Sequence, residues 1–344
     1  MKKIHYNFAR LEVNLYLKSL FMSEPTILKS KISPKFAGQP LIDYVSNRFR
    51  YQTRETWVQM ILDGTLSLNN QKVPPEIIIQ KGDLIAYSAI LNEPPVRKNI
   101  QIIYEEEGFL VAVKPGLLPS HADGNFIKNT FIYLINEKLR SAGWKGKAHL
   151  THRLDRETSG LMIVAKNGPS LRNITQQFEQ GLVEKEYWAI VQKVIEQDQF
   201  EMNDAIGPDP SSQISIRFAV VPADSPHAKS AATRFKVLNR WDKATLVSCV
   251  PLTGRTSQIR VHLTSIGHPL VNDKLYGRTD EEFLSFVANS KKGKYEKDIE
   301  NAPRHLLHAA KLVFNHPQSG KKMTFESEMP IDMKSFIESQ KTFH

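Results

Sequence analysis

The chain contains very little cysteine, and this scarcity narrows the chemistry it can carry. Its one cysteine among 344 residues is Cys249. A single thiol excludes an internal disulfide framework and a cysteine-rich zinc site. It also excludes the zinc-dependent base deaminases, whose metal site needs a pair of closely spaced cysteines. Cys249 lies in the strand-like run 245–251, where we expect a small buried thiol without a catalytic role.

Long hydrophobic runs are absent as well. No stretch reaches the length of about 18 apolar residues that a transmembrane helix needs. The N-terminus carries lysines but lacks the apolar core of about 7–15 residues that is typical of a secretory signal. Hydrophobic residues make up 41% of the chain and charged residues 24%, as in ordinary globular proteins. We therefore expect a cytoplasmic protein that does not associate with membranes.

Two further absences concern cofactors and metals. The sequence has no glycine-rich turn of the kind that holds a nucleotide cofactor after a strand, which disfavours a base methyltransferase. The histidines His305, His308 and His316 have no carboxylate at ligand spacing and no cysteine beside them. We interpret these histidines as structural, and we expect no metal site.

The chain has fewer acidic than basic residues. The 46 lysines and arginines outnumber the 36 aspartates and glutamates, which gives a formal net charge of +10 and a pI near 9.4. Such an excess indicates a polyanionic partner such as a nucleic acid. Residues 1–40 hold seven basic and two acidic residues, so half of the excess lies in a basic N-terminal extension.

The rest of the chain divides into a small module and a larger domain. Residues 41–90 combine two segments with helical spacing of apolar residues and two short strands separated by turn residues. A proline-containing linker follows at 91–99. From residue 100 to residue 344, strands outnumber helices and do not alternate with them regularly. This pattern predicts an α+β fold with a mixed, mainly antiparallel sheet in the larger domain.

One segment stands out for its chemistry, His152-Arg153-Leu154-Asp155-Arg156-Glu157-Thr158-Ser159-Gly160-Leu161. It places the carboxylate of Asp155 between two guanidinium groups, directly before an apolar run that has the length of a buried strand. Nearby positive charge keeps a carboxyl group ionised. Such an aspartate can act as a nucleophile, as a base, or only as a salt-bridge partner.

This segment resembles, residue for residue, the HRLDxxTSGL signature of the RluA family of RNA pseudouridine synthases. Residues 185–189 resemble the K-x-Y-x-A motif of that family, and residues 254–263 its G-R-T-H-Q-I-R-V-H-L motif. The resemblance implies a pseudouridine synthase type of fold and the isomerisation of uridine to pseudouridine in RNA, without a cofactor. It implies Asp155 as the catalytic carboxylate, Tyr187 as the aromatic contact to uracil and Arg260 as the partner of Asp155. Direct attack of the aspartate on the sugar and elimination through a glycal both stay open.

The resemblance also bears on RNA contacts in the larger domain. Arg153 matches a residue that can fill the gap left by a flipped-out base, and Arg156 is a second candidate for substrate binding. One position departs from the family pattern. Ser257 stands where the family usually has histidine, so any RNA contact made by that imidazole is not expected here.

Residues 41–90 resemble the alpha-L RNA-binding module, first named from a small-subunit ribosomal protein. The likeness is carried by segments 53–54, 63–69 and 81–83. It implies contacts to the RNA backbone from three candidate residues, Arg48, Arg50 and Arg54. The module holds five basic and five acidic residues, so a packing role without RNA binding stays open.

The implied partner is a transfer RNA or a large-subunit ribosomal RNA. Segments 92–96, 206–210 and 231–235 resemble the branch that modifies transfer RNA, whereas the alpha-L module also occurs in branches that modify large-subunit ribosomal RNA. Both targets stay open. We expect the protein to act as a monomer.

Two rival functions deserve a test. A glycoside- or nucleoside-cleaving enzyme would also place a carboxylate at an anomeric carbon, but it needs a second acid in the same pocket, about 5–9.5 Å away. Glu157 is the nearest candidate in sequence. A non-catalytic RNA-binding or ribosome-assembly factor is the other rival, and the presence of Asp155, Tyr187 and Arg260 disfavours it.

Overall fold

The computed structural model describes residues 26–49, 52–89, 93–123, 126–291 and 299–341. The chain forms two compact units that divide between Glu93 and Pro94. Most of the predicted basic extension, the candidate Arg50 and the first residues of the predicted linker lie outside the described residues. Among the residues described, no helix has both the length and the apolar character needed to cross a bilayer.

The smaller unit packs two helices on a three-stranded antiparallel sheet. Its strands, in the spatial order β1-β3-β2, are β1 (Thr26–Lys31), β2 (Leu66–Leu68) and β3 (Leu84–Ala89). Its helices are α1 (Leu41–Arg48) and α2 (Arg54–Asp63), with a 3-10 helix at Pro34–Phe36. The hydroxyl of Thr53 caps α2, and Gly64 ends it in the left-handed conformation. The fully buried Trp57 lies within the apolar core of this unit.

The smaller unit begins earlier than predicted. Strand β1 pairs along its length with β3, so the assignment of residues 26–40 to a basic extension is wrong. Lys29 and Lys31 point to solvent while Leu28 and Ile32 turn inward. Lysines are common on edge strands because their charge discourages pairing with a strand of another molecule. In this segment the charged residues made the alternating pattern of a strand hard to recognise in the sequence.

The predicted linker also extends too far. Val96 is buried in a core cluster of the larger unit. The guanidinium of Arg97 donates to Asp332 at 3.2 Å and to the carbonyl of Ala302 at 3.0 Å. Residues 94–99 therefore belong to the larger unit, to which Val96 and Arg97 anchor them.

The larger unit is built on a mixed sheet. Its strands are β4 (Gln101–Glu105), β5 (Phe109–Lys114), β6 (His149–Leu150), β7 (Ser159–Ala165), β8 (Glu184–Gln192), β9 (Gln199–Met202), β10 (Ile206–Pro208), β11 (Phe218–Val220), β12 (Thr233–Trp241), β13 (Ala244–Pro251), β14 (Leu307–Asn315) and β15 (Lys322–Glu326). Its helices are α3 (Phe131–Ser141), α4 (Gly168–Glu179), α5 (Gln258–Ser265), α6 (Asp280–Lys291) and α7 (Ile331–Lys341).

The main sheet has the strand order β4-β5-β7-β14-β8-β13-β12-β9, with β15 beside β14 and β6 beside β7. The pair β7–β14 is parallel, and the other pairs are antiparallel. Strands β10 and β11 form a separate pair. The prediction of an α+β fold with a mixed, mainly antiparallel sheet is confirmed. Strand β14 comes late in the chain, yet it lies in the middle of the sheet.

Helices cover both faces of the sheet. Helix α3 packs on the side chains of β5 and β7 that include Leu110 and Met162. Helix α4 packs on the opposite face, against Phe109 and Ile163. Every residue of β7 is buried, which explains its unbroken apolar sequence, because a strand covered on both faces has no polar side.

Gly160 allows β7 and β14 to approach each other closely. Its φ is +119°, and a Cβ atom placed there would lie 2.3 Å from the carbonyl oxygen of Ala309. The backbone of Gly160 pairs with Ala309 in the parallel ladder. Gly160 therefore permits the close pairing of β7 with β14 at the centre of the sheet. It lies directly after the loop that carries Asp155.

We expect the Gly160→Ala protein to be much less stable against unfolding than the wild type. The substitution forces an unfavourable φ, which costs about 1–3 kcal/mol, and it adds a clash with backbone atoms that cannot move aside. Thermal unfolding followed by circular dichroism measures the effect. The control is Gly254→Ala, whose Cβ would meet no atom within 4 Å. An unchanged unfolding midpoint for Gly160→Ala would contradict this account.

Candidate active site

Buried hydrogen bonds fix the loop between β6 and β7 that carries Asp155. The hydroxyl of Ser120 donates to the carbonyl of Leu154 at 2.6 Å and accepts from the N–H of the same residue at 3.1 Å. The fully buried ammonium of Lys114 donates to the carbonyl of Arg156 and to two carbonyls in the segment after its own strand. Because both sides of Asp155 are anchored, its carboxylate is presented from a rigid backbone.

One arginine joins two carboxylates from distant parts of the chain. Arg260, on α5, donates through Nη1 to Oδ2 of Asp155 at 2.8 Å. Its Nε and Nη2 donate to the two carboxylate oxygens of Asp273 at 2.8 and 2.9 Å. The side chain of Asp273 is 0% exposed, and that of Asp155 is 32% exposed. A buried carboxylate therefore fixes the guanidinium, which offers a further N–H group to the accessible one.

Burial and neighbouring charges have opposite effects on the pKa values of Asp273 and Arg260. Burial tends to raise the pKa of Asp273, but the charge and hydrogen bonds of Arg260 lower that pKa to about 2. Burial tends to lower the pKa of Arg260, but the charge and hydrogen bonds of Asp273, and then the charge of Asp155, raise it above its ordinary value. Both groups therefore stay charged at neutral pH. The ring of Tyr276 lies 4.7 Å from the guanidinium carbon and adds a cation–π contact.

Tyr187 contributes an aromatic surface to the same site. It lies on β8, opposite Cys249 on one side and Ala309 on the other, and it lines the same cavity as Asp155. Burial, and then the charge of Asp155, raise the pKa of Tyr187, so its phenol stays neutral. A neutral ring in a cavity wall suits stacking against a nucleobase, a contact worth about 1–3 kcal/mol per base.

The start of α5 has an unusual backbone conformation. The cap position is Ser257, which has a φ of +53° and no capping hydrogen bond from its side chain. The amide oxygen of Gln258 closes the preceding loop instead, because it accepts from the N–H of Arg255 at 3.0 Å and from the hydroxyl of Thr253 at 2.7 Å. This bracing fixes the helix end from which Arg260 extends.

A cavity of about 820 Å³ opens in front of these groups. Its walls come from the 151–155 loop, the C-terminal end of α4, strand β8 and the segment 251–260. The volume lies within the range of ligand sites in proteins. Ser257 also lines the cavity, and its hydroxyl accepts from Nη1 of Arg260 at 3.3 Å.

The predicted RNA-binding arginines have different surroundings. Arg153 is exposed at the cavity wall. Arg156 instead places its guanidinium 4.9 Å from the ring centre of Phe126 and does not line the cavity. The two candidates of the smaller unit that the structure describes are exposed on its surface. Arg48 lies over Phe36, and Arg54 pairs with Asp43 at 2.7 Å.

Glu157 faces away from the cavity. Its Oε1 pairs with Lys274 at 2.6 Å, and its Oε2 accepts from the N–H of His305 at 2.8 Å. It is not among the residues that line the cavity. The second acid that a glycoside-cleaving enzyme would need is therefore not supplied by Glu157.

The buried histidines make structural contacts. His305 bonds to the hydroxyl of Thr158 at 2.8 Å, and His308 bonds to that of Ser159 at 2.9 Å. Burial lowers the pKa of both imidazoles, to about 3 for His308. Within the part of the chain that the structure describes, no cluster of three or more His, Cys, Asp or Glu side chains has the arrangement of a metal site.

Three buried polar residues of the site were missed by sequence reasoning. Asp273 lies in a loop without periodicity, 13 residues after Arg260, and only its partner identifies it. Gln258 lies within the 254–263 motif and Lys114 at the end of strand β5, and neither was assigned a role from the sequence. The sequence does not distinguish a buried lysine or glutamine from an exposed one. The hydrogen bonds of these side chains can therefore be identified only from the structure.

Known proteins resemble this chain across most of the larger unit. Residues 108–265 match the sequence model of the family described as RNA pseudouridylate synthase. The chain is 33% identical over 250 residues to the tRNA pseudouridine(32) synthase, mitochondrial, of Saccharomyces cerevisiae, and the match covers 72% of this chain and 52% of that protein. The chain thus spans about half the length of the yeast relative.

Two further matches cover more of their proteins. The chain is 34% identical over 239 residues to the ribosomal large subunit pseudouridine synthase D of Zymomonas mobilis, and the match covers 68% of this chain and 71% of that protein. The solved structure of human RNA Pseudouridylate Synthase Domain Containing 4 resembles the fold with a TM-score of 0.54 and 25% identity. That likeness covers 70% of this chain and 93% of the human chain.

Proposed function

The chain belongs to the RluA family of RNA pseudouridine synthases, and on that premise we propose that it isomerises specific uridines in structured RNA with Asp155 as the catalytic carboxylate. The uridine enters the cavity after leaving its base stack, because the carboxylate cannot reach a sugar inside a duplex. The proposal rests mainly on one observation, the contact between Asp155 and Arg260 at 2.8 Å in the wall of that cavity.

The reaction sets the requirements for such a site. The bond between the uracil nitrogen and the anomeric carbon breaks, the base turns, and ring carbon 5 bonds to the same anomeric carbon. Carbon 5 gives up its proton, and the freed ring nitrogen takes one up. The product therefore has the same composition as the substrate, so we expect no cofactor. A carboxylate beside the anomeric carbon can add to it directly, or it can take a sugar proton in the glycal route. Asp155 is placed for either role.

Arg260 and Tyr187 support this chemistry without changing covalently. Arg260 keeps the carboxylate of Asp155 oriented, while its own orientation is fixed by Asp273. Tyr187 offers a neutral ring against which the detached uracil can turn without leaving the cavity. Water exclusion by the stacked base would protect the intermediate from hydrolysis.

The RNA class is decided by a direct assay. The yeast relative is named for a transfer RNA position, and the Zymomonas relative for the large ribosomal subunit. Pseudouridine is mapped in total RNA from cells that lack the gene, before and after incubation with the purified protein. New pseudouridine at defined positions, with none formed by Asp155→Asn, supports the proposal. If neither protein forms pseudouridine but both bind RNA equally, the chain is a non-catalytic RNA-binding factor.

We further propose that the smaller unit strengthens RNA binding through its exposed basic residues. Arg48 and Arg54 are exposed, as is Lys35, whose ammonium lies 4.7 Å from the ring centre of Phe36. The pairing of Arg54 with Asp43 leaves less charge on this surface than the sequence suggests. Arg48 and Lys35 are therefore the stronger candidates for phosphate contacts.

A protein that begins at Glu93 tests this division of labour. The larger unit keeps its sheet and cavity, so turnover at saturating RNA should change little. Affinity should fall, and the slope of log affinity against log salt should become shallower by about 0.7–0.9 for each lost phosphate contact. Filter binding at several salt concentrations measures both quantities. Equal affinity and slope in the full and shortened proteins would identify the smaller unit as a packing domain.

A further inference from the structure

Among the residues that the structure describes, Lys185 is a cation in the cavity wall without an anionic partner. It precedes Tyr187 by two residues on β8, so both side chains lie on the same face of the strand. It lines the cavity and is only partly exposed. Other lysines of this unit pair with carboxylates, among them Lys166, Lys274 and Lys311. In the described part of the chain, Lys185 has no such pair.

The surroundings of Lys185 leave its charge uncompensated. Burial lowers the pKa of its ammonium. The neighbouring His152 is neutral, since burial and then the charge of Lys185 lower its pKa to about 3. Of the two carboxylates that line the cavity, Asp155 is held by Arg260, and Glu179 is exposed and forms no ion pair with Lys185. A partly dehydrated cation in a cavity is stabilised by an anion that enters from outside.

We propose that Lys185 is a positioning residue that holds a phosphate group flanking the target uridine while Tyr187 contacts the base. This inference rests on the proposed function. Phosphate is the anionic group that RNA offers, and a lysine ammonium binds it as a point charge. Two residues along a strand span roughly 7 Å, a distance comparable to the one between a nucleobase and its flanking phosphate. Arg153, in contrast, is exposed and suits general attraction of the RNA backbone.

Binding of small nucleotides tests the site without any turnover. Equilibrium dialysis at low salt compares uridine with uridine 3′,5′-bisphosphate. The wild-type protein should bind the bisphosphate about tenfold more tightly than uridine, as expected for one contact to a charged group. Lys185→Met should remove most of this preference and leave uridine binding unchanged, because the base and sugar still meet Tyr187 and Asp155.

Two variants sharpen the result. Lys185→Arg keeps the charge and should keep most of the preference. Lys311→Met removes a lysine that is paired with Glu326 outside the cavity, and it should behave as the wild type. A wild-type protein without preference for the bisphosphate, or a Lys185→Met protein with an undiminished preference, overturns the proposal.

The outcome is separable from that of the proposed function. A protein that forms pseudouridine in RNA but shows no phosphate preference loses the Lys185 site alone. A protein that shows the preference, lost in Lys185→Met, but forms no pseudouridine keeps the phosphate site and loses the assigned reaction. The dialysis can be repeated with Asp155→Asn, in which turnover cannot consume or alter the ligand.

Discussion

The Asp155→Asn protein is expected to fold, to bind RNA and to form no detectable pseudouridine. The amide has nearly the shape of the carboxylate, and Arg260 stays in place because Asp273 holds it. The amide can neither add to an anomeric carbon nor take up a proton. Turnover should therefore fall by at least about 10²–10⁴, the contribution typical of a positioned acid–base group. Single-turnover pseudouridine formation on the mapped RNA measures the loss.

A matched aspartate provides the control for this variant. Asp198→Asn removes a carboxylate whose side chain is 85% exposed and paired with Arg240, and it should keep wild-type turnover. RNA affinity and the unfolding midpoint of Asp155→Asn should stay close to wild type. If Asp155→Asn retains turnover within about tenfold of wild type, a factor that acid–base loss should exceed, another group carries the chemistry.

The second large effect is expected from Arg260→Ala, which should lose both activity and stability. Removal of the guanidinium leaves the fully buried carboxylate of Asp273 without its partner. Breaking a buried pair from one side costs about 3–5 kcal/mol, so the unfolding midpoint should drop clearly. Activity should collapse because Asp155 also loses its orienting contact. Thermal unfolding and single-turnover assays measure the two losses.

Arg260→Lys separates orientation from folding. The lysine keeps a positive charge near Asp273 but lacks the planar fork that reaches both carboxylates. Stability should largely return, while turnover stays about 10²–10³ below wild type, the range for loss of one oriented donor in a catalytic site. Arg234→Ala, at an exposed pair with Glu201, is the control and should change neither quantity. Normal turnover in Arg260→Lys would show that the fork is dispensable.

The sequence predicts those parts of the molecule that have a local pattern. Strand β7 is recognisable because burial on both faces leaves an unbroken apolar run, and α2 because Thr53 and Gly64 mark its ends. Strand β1 was missed because lysines occupy its outward positions. The sequence pattern of a strand or helix therefore predicts burial well where all residues on one of its faces are apolar.

Contacts between distant residues are harder to predict. Asp155 and Arg260 are separated by 105 positions, and only the resemblance to a family suggested that they pair. Asp273 carried no sequence signal, although it makes two hydrogen bonds to Arg260. Arg156 directly follows Asp155 in sequence, yet its guanidinium lies over Phe126, and it does not line the cavity as Arg153 does. A charged residue next to the proposed catalytic carboxylate in sequence therefore does not reveal which way its side chain turns.

The central place of β14 has a consequence for how the protein is made. During synthesis, β7 and β8 emerge long before β14, the strand that separates them in the finished sheet. Until residue 315 has left the ribosome, the sheet can form at most as two halves, and their unpaired inner edges would be prone to wrong pairing. Joining them needs contacts across about 150 residues, a separation that slows folding. The larger unit should therefore gain its structure in one late step, and until that step its nascent strands should be prone to aggregation.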